Sequence, residues 1–171
     1  LCGMGVEPGF SDVAARYGKA DLVAANNVFA HVPDIVDFSR GLRALVADEG
    51  RVSIEIPHLL RLIEGREYDT IYHEHYSYLS LLTTQRVLAV AGLTVVDVEE
   101  LSTHGGSLRT WSAPAETAPA PSPAVAEVLA AESAAGLDTL EGHAGFAADV
   151  AAVRNDLVDF LVARSRAGDL V

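Results

Sequence analysis

The chain is poor in cysteine, in basic residues and in long apolar runs. With one cysteine, Cys2, it can build neither an internal disulfide framework nor a cysteine zinc site of its own. No apolar run approaches the roughly 18 residues of a membrane span. The start lacks the basic segment and apolar core of a signal peptide. The expectation is therefore a cytoplasmic protein with no membrane partner. Lysine and arginine number 12 against 24 acidic residues, a formal net charge of −12. A field of that sign repels phosphate backbones and argues against nucleic acid, while leaving room for a small anionic ligand held by local donors. An initiating methionine is also lacking. The chain opens on Leu1 and closes on "RSRAGDLV" as a helical pattern stops, so it is expected to be a piece of a longer polypeptide.

What is present is 171 residues, half of them apolar, enough for one domain or one domain plus an appendage. "ADLVAANN" places a short buried strand at Leu22–Ala25, ended by Asn26-Asn27. "PDIVDFSRGLRALVADEG" repeats Ile35, Phe38, Leu42, Leu45 and Val46 at helical spacing, with Asp34 as N-cap and Gly50 as stop. "RVSIEIP" alternates Val52, Ile54 and Ile56 with polar residues, a strand ended by Pro57. Helices follow in "HLLRLIEGR" and in "TTQRVLAVAG", the second capped by Thr83 or Thr84. "LTVVDVEEL" and "GSLRTWSAP" read as two strands joined by Ser102–Gly106.

Strands alternating with helices imply an α/β sheet with parallel crossovers, finished here by an antiparallel hairpin. Residues 10–17 look helical, so the apolar strand at Leu22–Ala25 lacks upstream neighbours, and further strands are expected before Leu1. The organisation expected is a sheet domain over 1–113, a Pro/Ala linker over 114–123, and a second unit from 124 to 171. That unit begins with two alanine-rich helices, Ala124–Ala135 and Phe146–Arg166, expected to pack on each other and on the sheet.

The densest chemistry lies in "TIYHEHYSYLS" at 70–80, where Tyr72, His73, Glu74 and His75 run consecutively. His31 stands after the first strand, at the carboxyl end where ligands of open α/β sheets bind. Its plainer reading is a cap for the helix beginning near Asp34. Asn26 and Asn27 either end their strand or contact ligand. His104-Gly105-Gly106 is either a hairpin turn or a site of close ligand approach, glycine tolerating positive φ. His58, His73, Tyr76 and Tyr78 are read as structural, and His143 as a surface residue at a helix start. His73 and His75 are two apart rather than the four of a helical zinc motif. A metal site completed by His31 and Glu74, as in a hydrolase, stays open as an alternative.

"NNVFAHVPD", "YDTIYHEHYSYLS" and "LSTHGGSLR", in that order, resemble the sugar C-methyltransferases, a branch of the class I S-adenosylmethionine-dependent methyltransferases. The resemblance covers roughly residues 10–112 closely and the later helices more loosely. It implies the second half of a Rossmann-like sheet, with parallel strands plus an antiparallel terminal hairpin, followed by part of a helical or α/β C-terminal domain. It implies methylation of a carbon beside the keto group of a nucleotide-linked deoxy-4-ketosugar.

The proton on that carbon needs a base, the enolate oxygen needs donors, and both reactants must be held together. The resemblance assigns His75 as the base. Imidazole titrates near neutral pH and suits the task. Tyr72 would hydrogen-bond near the oxyanion, Glu74 would orient the imidazole or contact a sugar hydroxyl, and His31 would donate to the enolate oxygen. His104, Gly105, Gly106 and Asn27 would touch the sugar nucleotide, and Asn26 the cofactor.

Family members begin with a cysteine-rich zinc module and a Gly-rich strand–loop–helix. Neither is here, and Gly3 and Gly5 do not replace that loop, since no strand precedes them. S-Adenosylmethionine is the implied cofactor, its main loop lying outside this chain, and zinc is expected only in the module. A non-catalytic remnant is the remaining alternative, and the isolated piece is expected to be inactive.

Overall fold

A computed structural model of the chain describes residues 7–170; Cys2, Gly3 and Gly5 lie outside them. The elements run α1 (Glu7–Tyr17), β1 (Ala20–Asn26), α2 (Ile35–Leu45), β2 (Val46–Pro57), α3 (Leu59–Gly65), α4 (Leu81–Val90), β3 (Leu93–Leu101), β4 (Ser107–Pro114), α5 (Pro123–Ala134) and α6 (Phe146–Arg166). The four strands form one mixed sheet in the order β1-β2-β4-β3. β1 and β2 are parallel, and β4 pairs antiparallel with both β2 and β3. The α/β architecture with a terminal hairpin is as the alternating pattern predicts.

β2 is the centre. Val52, Ile54 and Ile56 are fully buried, and Ser53 and Glu55 on the opposite face are nearly so. The buried Glu55 carboxylate is matched by Arg109 at 2.9 Å and by the Thr103 hydroxyl at 3.2 Å, as a buried charge requires. Over the aliphatic face, Phe38 and Leu42 of α2, Leu81 and Leu88 of α4, and Val125 and Val128 of α5 close one core. α1 adds to its rim, where Phe10 meets Phe38 edge-on at 5.6 Å. A Cβ on Gly41 would fall 1.9 Å from the Phe10 ring, so glycine there lets α1 and α2 approach.

Three local expectations are corrected. α2 stops at Leu45, and Val46 opens β2 instead of closing the helix. The register against β1 jumps from Ala20↔Val46 to Leu22↔Arg51, an irregularity that leaves residues 47–50 of β2 as extra chain. Gly50 packs there too tightly for a side chain, with Val46, Ala20 and Asp21 atoms within 3.0 Å of an added Cβ. The cap of α4 is Ser80, which accepts from the Thr83 amide at 3.1 Å, and not Thr83 or Thr84. The two late helices do not behave alike. α5 packs on β3 and α4, whereas α6 buries none of its residues, and Leu157 and Phe160 stand more than half exposed. Phe146, Val150 and Val153 at its start are half-buried, while its apolar positions from Leu157 to Val162 stay exposed.

The Pro/Ala stretch before α5 is tied to the sheet: Ser122 donates its amide to the Val96 carbonyl at 2.8 Å, and the Thr117 hydroxyl bonds the Asp48 carbonyl. β1 has no partner on its outer edge among the described residues, and Leu22 is 56% exposed there. No helix among the described residues is long and apolar enough to cross a membrane.

Candidate active site

Three segments meet at one end of the sheet. The first leaves the carboxyl end of β1, where Asn27 takes φ 53° and donates its amide to the Glu55 carbonyl at 2.9 Å. A 3₁₀ turn, Phe29–His31, then places His31 over the strand ends. The second leaves β2 at Pro57. The third is the β3–β4 turn, brought alongside because Pro57 pairs with Ser107 and the His58 amide donates to the Gly106 carbonyl at 3.0 Å. The loop between α3 and α4 covers them, held by Tyr76 and Ser77 amides that both donate to the Ala30 carbonyl, at 2.8 and 3.2 Å. A cavity of about 170 Å³ remains between these segments.

His75 lies at its heart. Its ring packs on Tyr72 at 4.3 Å and on His31 at 4.6 Å between centroids. Nδ1 lies 2.9 Å from the Thr70 carbonyl. A carbonyl only accepts, so Nδ1 carries the hydrogen, and in the neutral ring Nε2 keeps the lone pair. His31 is held in the same way, with Nδ1 donating to the Glu74 carbonyl at 3.0 Å. Each imidazole thus presents Nε2 as its free reactive atom.

The remaining sequence candidates divide. Asn27, Tyr72, His104 and Gly106 line the cavity with His31 and His75. Asn26 is exposed on the strand end and does not line it. Glu74 is exposed, and what it brings to the site is its main-chain carbonyl on His31; Thr70, not Glu74, orients His75. Gly105 adopts φ 77° and Gly106 φ 134°, beside His104 at φ 52°. Left-handed backbone at a non-glycine residue is strained, and such strain gathers at functional sites. An added Cβ on Gly105 would fall 2.0 Å from a Glu67 carboxylate oxygen, and one on Gly106 2.7 Å from the Arg61 stem. The turn is therefore glycine-rich for close approach as well as for φ. The Arg61 guanidinium, bonded to Glu100 and then Glu64, holds its proton more tightly than usual and stays a fixed cation behind the turn.

Two lining residues escape sequence reading. Glu67 enters the cavity beside Gly105, and among the described residues its carboxylate makes no hydrogen bond or ion pair. The one signal that it matters is its place two residues before the Asp69–His75 run. His58, read as structural, lines the cavity while pairing with Glu132 on α5, 74 residues away. No three His, Cys, Asp or Glu side chains among the described residues gather as metal ligands. His31 and His75 meet, but each commits Nδ1 to a carbonyl.

A histidine-lined cavity at the carboxyl ends of the parallel strands β1 and β2 lies where open α/β sheets bind ligands. Residues 5–98 match the family model described as a methyltransferase domain, and residues 102–171 match a C-methyltransferase C-terminal domain. The chain belongs to the methyltransferase-domain family. It is 40% identical over 143 residues to C-methyltransferase NovU of Streptomyces niveus, a match covering 84% of this chain and 34% of that protein. It thus spans about a third of that curated relative. Similar solved structures include the magnesium protoporphyrin IX methyltransferase of Synechocystis PCC 6803 with bound SAH, at TM-score 0.42 and 15% identity, covering 55% of this chain and 44% of that one. Another is LepI in complex with SAM, at TM-score 0.46 and 14% identity, covering 56% and 26%.

Proposed function

We propose that the polypeptide containing this chain transfers a methyl group from S-adenosylmethionine to the carbon beside the keto group of a nucleotide-linked deoxy-4-ketosugar. The observation that carries this reading is the ring contact of His31 and His75, each with Nε2 free, in a cavity also lined by Tyr72, His104 and Asn27. The 40% identity to a C-methyltransferase supports it. Carbon methylation needs a base for a C–H proton and donors for the resulting oxyanion, and in this reading the cavity's histidines and Tyr72 take those roles.

In this reading His75 Nε2 takes the proton from the carbon, while the Thr70 carbonyl stabilises the imidazolium through Nδ1–H. His31 has spent Nδ1 on the Glu74 carbonyl, so it donates to the enolate oxygen through Nε2 in its protonated form. Neighbouring imidazoliums repel. The pair therefore carries one proton beyond the two on Nδ1. His31 passes its Nε2 proton to the oxygen as His75 takes the proton from carbon. His75 then releases that proton to solvent, and the oxygen returns its proton to His31 as the carbon is methylated. Tyr72 stacks on His75 and offers its phenol near the oxyanion. His104 and the Gly105-Gly106 backbone contact the sugar nucleotide, as does Asn27 at the end of β1.

S-Adenosylmethionine, when bound, supplies the electrophilic sulfonium methyl. The residues present fit part of its site. Asn26 and Asn27 offer polar groups at the carboxyl end of β1, beside an open strand edge with room for further strands. Residues 1–113 would then be the second half of the cofactor-binding sheet, and 124–171 the beginning of the C-terminal domain after the 114–123 connection. Zinc belongs to this reading only in a separate cysteine-rich module, and the location is cytoplasmic.

The test is incubation of the full-length polypeptide with S-adenosylmethionine and a panel of nucleotide-linked 4-ketosugars and their 4-hydroxy counterparts. Carbon-methylated product from ketosugars alone is expected. Methylation on oxygen, or equal turnover of the 4-hydroxy compounds, would replace this reading.

A further inference from the structure

Glu67 is the one acidic residue among the described residues that line the cavity. It is half-buried, and its main chain is pinned on both sides. The amide donates to the Leu62 carbonyl at 3.0 Å, and the carbonyl accepts the Thr70 amide at 3.2 Å and hydroxyl at 2.8 Å. Thr70 in turn holds His75, so Glu67 and that imidazole share one short hydrogen-bonded frame. The side chain lies in a slot between two glycines. A Cβ built on Gly105 would fall within 2.2 Å of both carboxylate oxygens, and one on Gly65 3.1 Å from Oε1. Gly105 is flanked by His104 and Gly106, which line the cavity, so the carboxylate sits at its wall. Among the described residues it makes no hydrogen bond or ion pair. Arg61, whose stem packs against Gly106, is spent on Glu100 and Glu64. The slot therefore holds an acceptor in place and leaves both of its oxygens to a ligand.

We propose that Glu67 is a substrate-binding residue whose carboxylate accepts hydrogen bonds from ligand hydroxyls and thereby sets the orientation of the ligand in the cavity. A carboxylate only accepts, and bonds to it are the stronger for its charge. A phosphate offers it no donor and repels it. The diphosphate of a sugar nucleotide is thus turned away from this wall, and a hydroxylated ring is drawn to it. That the ligand is a sugar nucleotide rests on the reading above; the placement of the carboxylate does not. The hydroxyls belong to the sugar or to the ribose, two sources of one chemistry that the test separates.

The test is calorimetry on the full-length polypeptide saturated with S-adenosylhomocysteine, comparing wild type with Glu67→Ala and Glu67→Gln. The probes are the nucleotide-linked 4-ketosugars and analogues lacking one hydroxyl at a time on the sugar or the ribose. Both variants keep the main-chain bonds of Glu67 and lose no side-chain bond seen among the described residues, so both are expected to fold, which thermal unfolding checks. Glu67→Ala is expected to weaken binding of the parent compound about tenfold to a hundredfold, the scale of hydrogen bonds to a charged acceptor. Glu67→Gln is expected to fall between. The analogue lacking the contacted hydroxyl is expected to bind wild type and variant alike, and its position tells whether sugar or ribose lies at Glu67. Unchanged affinity in Glu67→Ala overturns the proposal. So does an equal loss for every analogue, which a turn merely propped by the side chain would give. A wild type that shows the expected pattern yet transfers no methyl group sinks the methyltransferase reading alone. Methyl transfer to the ketosugars with variant affinity unchanged sinks the Glu67 assignment alone, and a wild type that binds none of the probes overturns both.

Discussion

Replacing His75 by Asn separates the base from the scaffold that holds it. The asparagine amide sits near the position of Nδ1 and can still donate to the Thr70 carbonyl, which His75 engages at 2.9 Å. What disappears is Nε2 and the ring contacts with Tyr72 and His31 at 4.3 and 4.6 Å. His75 is only half-buried, so stability is expected to fall by about 1 kcal/mol, the scale of such ring pairs. The chemical step is expected to suffer far more. A positioned general base contributes roughly 10²- to 10⁴-fold, about 3 to 5 kcal/mol of activation free energy. The assay is solvent deuterium uptake at the carbon beside the ketone, followed by NMR in the full-length polypeptide, with methyl transfer blocked by S-adenosylhomocysteine. Thermal unfolding is recorded in parallel. Exchange within threefold of wild type, in a variant that remains folded, would refute the assignment of His75 as the base.

Four further outcomes follow from particular contacts. Glu132→Ala leaves His58 and two α4 amides unpaired in the core, and urea unfolding is expected to show a loss of about 3 to 5 kcal/mol. Gly105→Ala imposes φ 77° on a side chain that also meets the Glu67 carboxylate, so a loss of about 1 to 3 kcal/mol is expected, with a raised KM for the sugar nucleotide; a neutral result would show that the turn relaxes freely. Ser80→Ala removes the α4 cap and is expected to lower stability by about 1 kcal/mol, whereas Thr83→Ala is not. Calorimetry on residues 1–171 alone is expected to find no micromolar binding of S-adenosylmethionine, and such binding would show that the cofactor site is complete in this chain.

Much of this molecule was legible along the chain because its signals are local. The strand read in Leu93–Leu101 and the periodic run of Phe146–Arg166 reproduce those elements residue for residue, and Asp34 caps α2 as its spacing suggests, accepting from the Asp37 amide at 2.9 Å. The end of α2 misleads because Val46 follows Leu42 at a helical step yet also suits the start of a strand. The close approach of Gly50 to Ala20 and Asp21 is what turns the chain, and that contact comes from another strand. The helical run of α6 is equally legible, but a hydrophobic stripe does not say what it faces.

For the site, it is the family resemblance carried by the three motifs that brings Tyr72, His75, His31 and His104 forward as candidates, since a short motif is a local property. Their meeting is not local. It depends on β4 inserting between β2 and β3, which carries the Thr103–Gly106 turn beside Pro57 and His58. Tertiary structure alone decided which carbonyl holds each imidazole, that Glu74 serves His31 through its main chain, and that Glu67 enters the cavity. It also decided that His58 and Glu132 pair across 74 residues. The sequence by itself determined the parts and their chemistry through local periodicity and residue type. Hydrogen-bond partners far apart in the chain are set only when packing of the sheet and its covering helices brings them within about 3 Å.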